Sequence, residues 1–179
     1  MYIKRNKANT IKEVMKINLT QKEKMFLKDQ KSHEELCVDK YTNYANQAQD
    51  PQLKNIFSTY ADQEKQHLNT INQILNGSIP QMGAQTQNQN QQNSQQSTQQ
   101  NIQSQNQKHQ GVMLNQNDAK LCNDMLATEK YISGTYDTAI FEFADSNIRK
   151  VLNHIQKEEQ QHGEGIFNYM KNNGMYDVQ

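Results

Sequence analysis

Features that direct proteins to nucleic acid or into membranes are missing from this sequence of 179 residues. Its formal net charge is zero, so no general attraction to nucleic acid or to an anionic membrane is expected. No apolar run approaches the ~18 residues that a transmembrane helix requires. The first residues also lack the apolar segment of a signal peptide, which leads us to expect synthesis in the cytoplasm.

Cysteine is scarce. The two cysteines, Cys37 and Cys122, lie far apart and form no Cys-x-x-Cys pair. Because such isolated cysteines behave as small apolar residues in reducing compartments, the sequence predicts two buried free thiols.

Apolar residues are also few, at 34% of the chain, but the polarity is unevenly distributed. From 81 to 110 the chain is mostly Gln, Asn, Ser and Thr, with a single Lys and no acid. Such a tract buries too little apolar surface to offset the entropy lost on ordering. We therefore expect a disordered Gln/Asn-rich connector over 78–113. Self-association of this tract as β-structure is the alternative.

Helix-capping signals divide the remainder. Thr20-Gln-Lys-Glu23 is a capping box, and Asp50-Pro51 and Asp145-Ser146 each place an acid before a helix start. Gly77 and Gly174 are suited to helix ends. The predicted helices run over about 20–48, 51–76, 117–144 and 146–173. Residues 1–18 are predicted to form a tail, and no strand pattern competes with the helices.

Apolar residues recur at steps of three and four, which keeps them on one face of each helix. The predicted inward face of the first helix is Leu27, Gln30, Glu34, Val38, Tyr41, Ala45 and Ala48. That of the second is Leu53, Phe57, Tyr60, Glu64, His67, Ile71 and Ile74. That of the third is Cys122, Met125, Glu129, Ile132, Tyr136, Ile140 and Phe143. That of the fourth is Ile148, Leu152, Ile155, Glu159, His162, Ile166 and Tyr169.

The two halves of the chain repeat each other at an offset of 95 residues. A Glu-x-x-His motif occurs at Glu64–His67 and again at Glu159–His162, and another Glu precedes each motif by thirty residues, at Glu34 and Glu129. The caps repeat as well, as Asp50 and Asp145. The repeat predicts two copies of one helical hairpin, at 19–77 and 114–176, forming a single bundle.

These spacings predict a ferritin-like, all-α four-helix bundle with the long connector as its crossover. In each antiparallel hairpin the two Glu residues lie at similar distances from the tight turn, so four carboxylates converge at one level. Charged groups on a core stripe are costly unless they are paired or bind metal. Two divalent cations would balance four carboxylates. The predicted ligands are Glu34, Glu64, His67, Glu129, Glu159 and His162, and carboxylate with imidazole suits iron, manganese or zinc; we favour a dinuclear Fe or Mn site.

Two alternatives remain open at this point. The six residues could form a buried Glu–His hydrogen-bond network without metal, in which protonation relieves the charge. Tyr41 and Tyr136 lie two turns from the first-helix Glu residues, where they would either pack in the core or serve the site by hydrogen-bonding a ligand or carrying an electron.

Residues 114–176 resemble the spore coat protein F family. The resemblance rests on Asp124-Met-Leu-Ala-Thr-Glu-Lys130, on Tyr136, and on the ending His162-Gly-Glu-Gly-Ile-Phe167-Asn-Tyr-Met170-Lys-Asn-Asn-Gly174-Met-Tyr176. It implies a ferritin-like bundle and deposition in the spore coat, with other coat proteins or further copies of the chain, such as a homodimer, as partners. The scarcity of cysteine excludes the second iron centre of rubrerythrin-type proteins.

Two functions therefore compete. The first is a spore coat protein whose bundle holds a dinuclear metal site. The second is a di-iron or di-manganese oxidoreductase, or a metal-storage protein, acting on O₂ or peroxide. The sequence assigns no catalytic residue and leaves turnover open.

Overall fold

The computed structural model describes residues 17–80 and 116–176. These residues form helices α1 (Gln21–Gln47), α2 (Pro51–Leu75), α3 (Gln116–Ile140) and α4 (Ser146–Asn172), and this part of the chain contains no strand. None of these helices is long and apolar enough to cross a membrane. Most of the predicted tail and of the predicted connector lies outside the described residues.

The helix boundaries follow the capping residues. Thr20 and Glu23 form the reciprocal capping box, in which the Glu23 backbone N–H donates to Thr20 Oγ1 at 3.2 Å and the Thr20 N–H donates to Glu23 Oε2 at 2.7 Å. Asp50 and Asp145 cap α2 and α4 by accepting from backbone N–H groups two residues ahead. Gly77 follows α2 with a φ of 83°, a conformation in which a side chain would be strained.

The helices pack as two antiparallel hairpins, α1 with α2 and α3 with α4, and α1 also contacts α3 while α2 contacts α4. The start of α1 meets the end of α3, since Glu23 accepts a hydrogen bond from Ala144. The end of α4 meets the start of α2, since the Tyr169 hydroxyl donates to Asp50 at 2.6 Å. Neighbouring helices are therefore antiparallel throughout, and the described residues form an all-helical four-helix arrangement, as predicted.

The predicted core faces are largely confirmed, with one wrong position and one partial one. Val38 is partly exposed, and Cys37 is fully buried in its place. The α1 stripe steps by three from Glu34 to Cys37 and then by four, whereas our prediction reversed these steps; both orders fit helical periodicity. Tyr60 is half-buried at the edge of the core, and Ala61 occupies the inward position. The predicted buried free thiols are confirmed, because Cys37 and Cys122 are both buried and unpaired by disulfides.

The end of α3 is the largest error in the predicted boundaries. The helix ends at Ile140 rather than near Ala144. The Ala144 N–H donates to Glu23 Oε1 at 2.9 Å, and the Arg149 guanidinium donates to the carbonyls of Phe143 and Ala144 at 2.7 and 2.8 Å. Because side chains from α1 and α4 satisfy these backbone groups, they do not need a further helical turn.

Candidate metal centre

The structure brings all six predicted ligands together inside the bundle. Each of α1 and α3 contributes one Glu, and each of α2 and α4 contributes a Glu-x-x-His motif. All six side chains are at most 3% exposed, although they are the residue types most often found at the surface: Glu34, Glu64, His67, Glu129, Glu159 and His162.

These six residues form two overlapping groups of four. In the first group Glu34 and His67 join Glu64 and Glu159, and in the second group Glu129 and His162 join the same Glu64 and Glu159. Within each group one potential ligand atom per residue lies within 4.8 Å of all the others. Glu64 and Glu159 thus belong to both groups. We call the first group the His67 position and the second the His162 position.

Each imidazole turns its Nδ1 atom toward the carboxylates. His67 Nδ1 lies 2.9 Å from Glu159 Oε1 and 3.3 Å from Glu64 Oε2. His162 Nδ1 lies 2.9 Å from Glu64 Oε1. The closest carboxylate to each Nδ1 atom therefore comes from the other hairpin, so the centre exists only when the two hairpins pack against each other.

The two buried tyrosines hold carboxylates across the same boundary. The Tyr41 hydroxyl of the first hairpin donates a hydrogen bond to Glu129 Oε1 of the second. The Tyr136 hydroxyl of the second hairpin donates to Glu34 Oε1 of the first. Both rings are fully buried, so these residues combine the two roles that the sequence left as alternatives: they pack in the core and they orient a carboxylate.

Several polar atoms of the centre have no hydrogen-bond partner although they are buried. They are one oxygen each of Glu34, Glu64 and Glu129, both oxygens of Glu159, and Nδ1 of His162. The 2.9 Å approach of His162 Nδ1 to Glu64 is a contact without hydrogen-bond geometry. Burying such atoms without a partner costs free energy, since water is removed and nothing replaces it. The atoms all face the shared interior, where cations or protons would satisfy them.

The electrostatics of the metal-free centre show the same strain. Burial and the neighbouring carboxylates raise the pKa values of Glu34 and Glu159 to about 7, and burial raises the pKa of Glu64 and, further, that of Glu129. The metal-free centre therefore retains protons near neutral pH. Bound divalent cations would lower these pKa values again, because a nearby positive charge favours the ionised carboxylate.

The pKa values of the two histidines are shifted in opposite directions. Burial lowers the pKa of His162 to about 4. For His67 burial also acts to lower the pKa, but the four surrounding carboxylates, Glu158, Glu159, Glu34 and Glu64, together raise it well above its ordinary value. The difference reflects a residue that the sequence analysis did not select, Glu158.

Glu158 and Gln63 support the histidines from outside the centre. His67 Nε2 lies 2.9 Å from Glu158 Oε2, and His162 Nε2 lies 3.0 Å from Gln63 Oε1. Because both partners offer an oxygen, an Nε2–H group can donate to each of them, and in that tautomer the Nδ1 lone pair faces the carboxylates. The 95-residue repeat could have identified this pair, since Gln63 and Glu158 occupy equivalent positions immediately before each Glu-x-x-His motif.

A cleft of about 270 Å³ opens over this outer layer. Its lining is polar and comes from α2 and α4: Thr59, Asp62, Gln63, Gln66, His67 and Glu158. The cleft therefore reaches the outer edge of the His67 ring.

A half-buried aromatic ring covers the other histidine. Tyr60 stacks on His162, with ring centroids 4.3 Å apart and planes 28° apart. Gly165 makes room for it, because a Cβ atom at that position would lie 1.8 Å from the Tyr60 hydroxyl oxygen. The equivalent positions in the repeat are Ile155 and Thr70, so this aromatic cover exists on one side of the centre only.

Comparison with known proteins identifies the second hairpin. Residues 117–179 match the family model of the Coat F domain. No curated protein and no solved structure matches the chain. The match covers α3 and α4, including Glu129, Glu159 and His162. It confirms the resemblance to the spore coat protein F family and supports a spore coat protein.

Proposed function

We propose that this chain, whose second hairpin matches the Coat F domain, is a spore coat protein with a ferritin-like bundle that holds a dinuclear Fe or Mn centre. The ligands would be the six residues of the two groups, with Glu64 and Glu159 shared between the metal ions: Glu34, Glu64, His67, Glu129, Glu159 and His162.

The observation that carries this proposal is the overlap of the two groups on a pair of common carboxylates. Four glutamates provide four negative charges, which two divalent cations balance. Two imidazoles provide one neutral nitrogen donor for each cation. Among the described residues, all the buried side-chain atoms without a hydrogen-bond partner lie on these same side chains. A set of surface carboxylates would show neither the burial nor the unpaired atoms.

The ferritin-like part of the proposal rests on the ligand scheme and on helix direction. A Glu from each of two helices with a Glu-x-x-His from each of the other two is the scheme of carboxylate-bridged dinuclear bundles. Because neighbouring helices are antiparallel, α2 and α3 run in the same direction, and α3 begins at the end of the bundle opposite to where α2 stops. A crossover between them has to cover the length of the bundle, which is about 40 Å because each helix rises ~1.5 Å per residue. The predicted connector at 78–113 is long enough to do so.

The protein's own residues would keep such a centre in place. Tyr41 and Tyr136 hold two terminal carboxylates by hydrogen bonds, and Glu158 and Gln63 fix the imidazole tautomers. Burial excludes water from the carboxylates. Bound Fe or Mn would supply open coordination positions for O₂ or peroxide.

The cleft beside His67 favours the second candidate, an oxidoreductase or metal-storage protein acting on O₂ or peroxide. A purely structural metal would not need an opening of this kind. The assay is consumption of peroxide, and oxidation of ferrous iron, by the loaded protein. If the protein with bound metal does neither, the catalytic version is wrong, whereas the metal site and the coat role remain.

The decisive test is metal content, measured by inductively coupled plasma mass spectrometry on protein refolded with Fe²⁺ and, separately, with Mn²⁺. We expect about two metal ions per chain, as two divalent cations balance four carboxylates. The double variant Glu64→Ala/Glu159→Ala should lose both, because each of these residues belongs to both positions.

A matched control removes the same number of carboxylates from the surface. Glu35 and Glu164 are exposed residues of α1 and α4. The variant Glu35→Ala/Glu164→Ala should therefore keep about two metal ions. A folded, helical wild-type protein without bound metal would show instead that the six residues form a protonated Glu–His network.

Other coat components are the partners that the family suggests. We propose that the Gln/Asn-rich tract contributes to this assembly by self-association. A chain lacking residues 81–110 should keep its helical content but enter the coat poorly when purified spores are extracted. Normal incorporation of that chain would assign assembly to the bundle surface instead.

A further inference from the structure

The outer contacts of the two histidines differ by a single charge. Gln63 and Glu158 stand at equivalent positions of the repeat, and each places a side-chain oxygen against the Nε2 atom of a histidine in the other hairpin. The distances, 2.9 Å and 3.0 Å, are nearly equal. Glutamine and glutamate also have the same length and shape. The chain therefore contains a natural matched pair in which one imidazole faces a carboxylate and the other faces a neutral amide.

A carboxylate behind a metal-bound histidine strengthens the histidine as a ligand. It withdraws the Nε2 proton, raises the electron density at Nδ1, and compensates part of the positive charge of the cation. A neutral amide fixes the ring orientation equally well but supplies little of this electronic effect. Removing such outer partners typically weakens metal binding by roughly 10- to 100-fold.

We propose that the two halves of the centre bind divalent cations unequally: the His67 position, supported by Glu158, binds first and more tightly, and the His162 position, supported by Gln63, binds second. This inference rests on the proposed dinuclear centre. Glu158 and Gln63 act through the histidines and are positioning residues, not ligands.

The surroundings of the two histidines add to the difference. Glu158 is partly exposed in the cleft, so the His67 position is the one that a hydrated cation reaches from solvent. The Tyr60 ring covers His162 and shields it from that side. Of the charged groups near Glu158, His154 Nε2 is 3.4 Å away, and Asp62 lines the same cleft and pairs with Lys65.

The test is a titration of metal-free full-length protein with Co²⁺ in competition with a chromophoric chelator, at fixed pH and ionic strength. Wild type should bind two ions in two steps. Glu158→Gln should weaken the first step by roughly 10- to 100-fold and bring the two steps together. Gln63→Glu should tighten the second step by a similar factor and leave the first unchanged. The double exchange Glu158→Gln/Gln63→Glu should restore two separated steps.

Asp62→Asn is the matched control. It removes one negative charge from the same cleft, but the partner of the Asp62 carboxylate is Lys65, at 2.8 Å, and not an imidazole. Repulsion between two bound cations would also separate the two binding steps. If it were the only cause, Glu158→Gln and Asp62→Asn would each remove one nearby negative charge and would weaken binding to the same extent.

Equal effects of these two variants would overturn the inference, as would a first step unaffected by Glu158→Gln. Both results leave the dinuclear centre intact. A wild-type protein that is folded by circular dichroism but binds no Co²⁺, Fe²⁺ or Mn²⁺ would instead refute the proposed centre itself.

Discussion

The two hairpins are built alike where they form the bundle and differ where the centre meets solvent. The six Glu and His residues of the centre, the orienting tyrosines and the Asp50 and Asp145 caps recur at the 95-residue offset. Outside this inner layer the repeat differs: Gln63 is equivalent to Glu158, Tyr60 to Ile155, and Thr70 to Gly165. The buried inner residues of the centre are thus the same in both hairpins, whereas the outer residues differ and make the two hairpins chemically distinct.

A second recurring feature ties each hairpin to the other. Glu23 lies in the first turn of α1 and accepts a hydrogen bond from the Ala144 N–H, in the turn of the second hairpin, at 2.9 Å. Asp118, its equivalent at the start of α3, accepts from the N–H groups of Gln49 and Asp50 in the turn of the first hairpin, at 2.9 and 3.0 Å. Each hairpin thus caps the turn of its partner, and this exchange fixes how the two halves align along the bundle.

Removing these exchanged caps should have the largest effect on stability. Hydrogen bonds to a charged group contribute about 1.5–3 kcal/mol each. We expect Asp118→Ala, which loses two bonds to the other hairpin, to lower the free energy of unfolding by about 2–4 kcal/mol, and Glu23→Ala by about 1–3 kcal/mol. Urea denaturation of metal-free protein followed by circular dichroism measures both.

The control for the exchanged caps is Asp137→Ala, which removes an exposed acid from the same helix as Asp118. It should change the free energy of unfolding by less than about 0.5 kcal/mol. If Asp118→Ala and Glu23→Ala both behave like this control, then the exchanged caps do not set the alignment of the hairpins.

The shared centre should make metal-free protein lose stability as the pH rises. Glu34 and Glu159 have folded-state pKa values of about 7, above their ordinary value of 4.5. The folded state therefore binds protons that the unfolded state releases, and this contribution is full below pH ~4.5 and is lost as the pH rises through 7. The raised pKa of His67 acts in the same direction. His162 acts in the opposite direction only between pH 4 and 6.5.

Between pH 6 and pH 8 we therefore expect a loss of about 1–3 kcal/mol, since one proton contributes up to about 1.4 kcal/mol per pH unit. The measurement is the unfolding free energy of metal-free protein at several pH values. Metal-loaded protein should show a weaker loss or a gain over this range, because metal binding to deprotonated ligands strengthens with pH. A flat profile for the metal-free protein would contradict the shared buried protons.

The smallest expected effect tests the one-sided aromatic cover. Gly165→Ala gains about 1 kcal/mol in helix propensity but displaces Tyr60 from His162, which loses about 0.5–1.5 kcal/mol of ring stacking. These contributions nearly cancel. In a Tyr60→Ala background only the gain remains, so Gly165→Ala should then stabilise the protein by about 0.5–1 kcal/mol.

Thermal unfolding of the four proteins in this double-mutant cycle gives the coupling between Gly165 and Tyr60. Thr70→Ala, at the equivalent position of the first hairpin, should show no comparable coupling to Tyr60. A coupling near zero at Gly165 would mean that the Tyr60 ring moves away from the new methyl group without loss.

The sequence by itself determined the local parts of this protein. Helix starts at Thr20, Asp50 and Asp145 could be predicted because a cap is an interaction between residues two or three apart. The buried faces and the six Glu and His side chains of the centre could be predicted because helical periodicity and the repeat act within one helix or one hairpin. Even there, periodicity alone did not distinguish Cys37 from Val38.

Only the tertiary structure decided how the hairpins meet. It made Glu64 and Glu159 the carboxylates common to both positions, gave Tyr41 and Tyr136 their partners in the opposite hairpin, and ended α3 early at a contact with Glu23. It also placed Glu158 behind His67, 91 residues away in the chain. These contacts depend on the relative packing of helices distant in sequence, and no local periodicity encodes that packing.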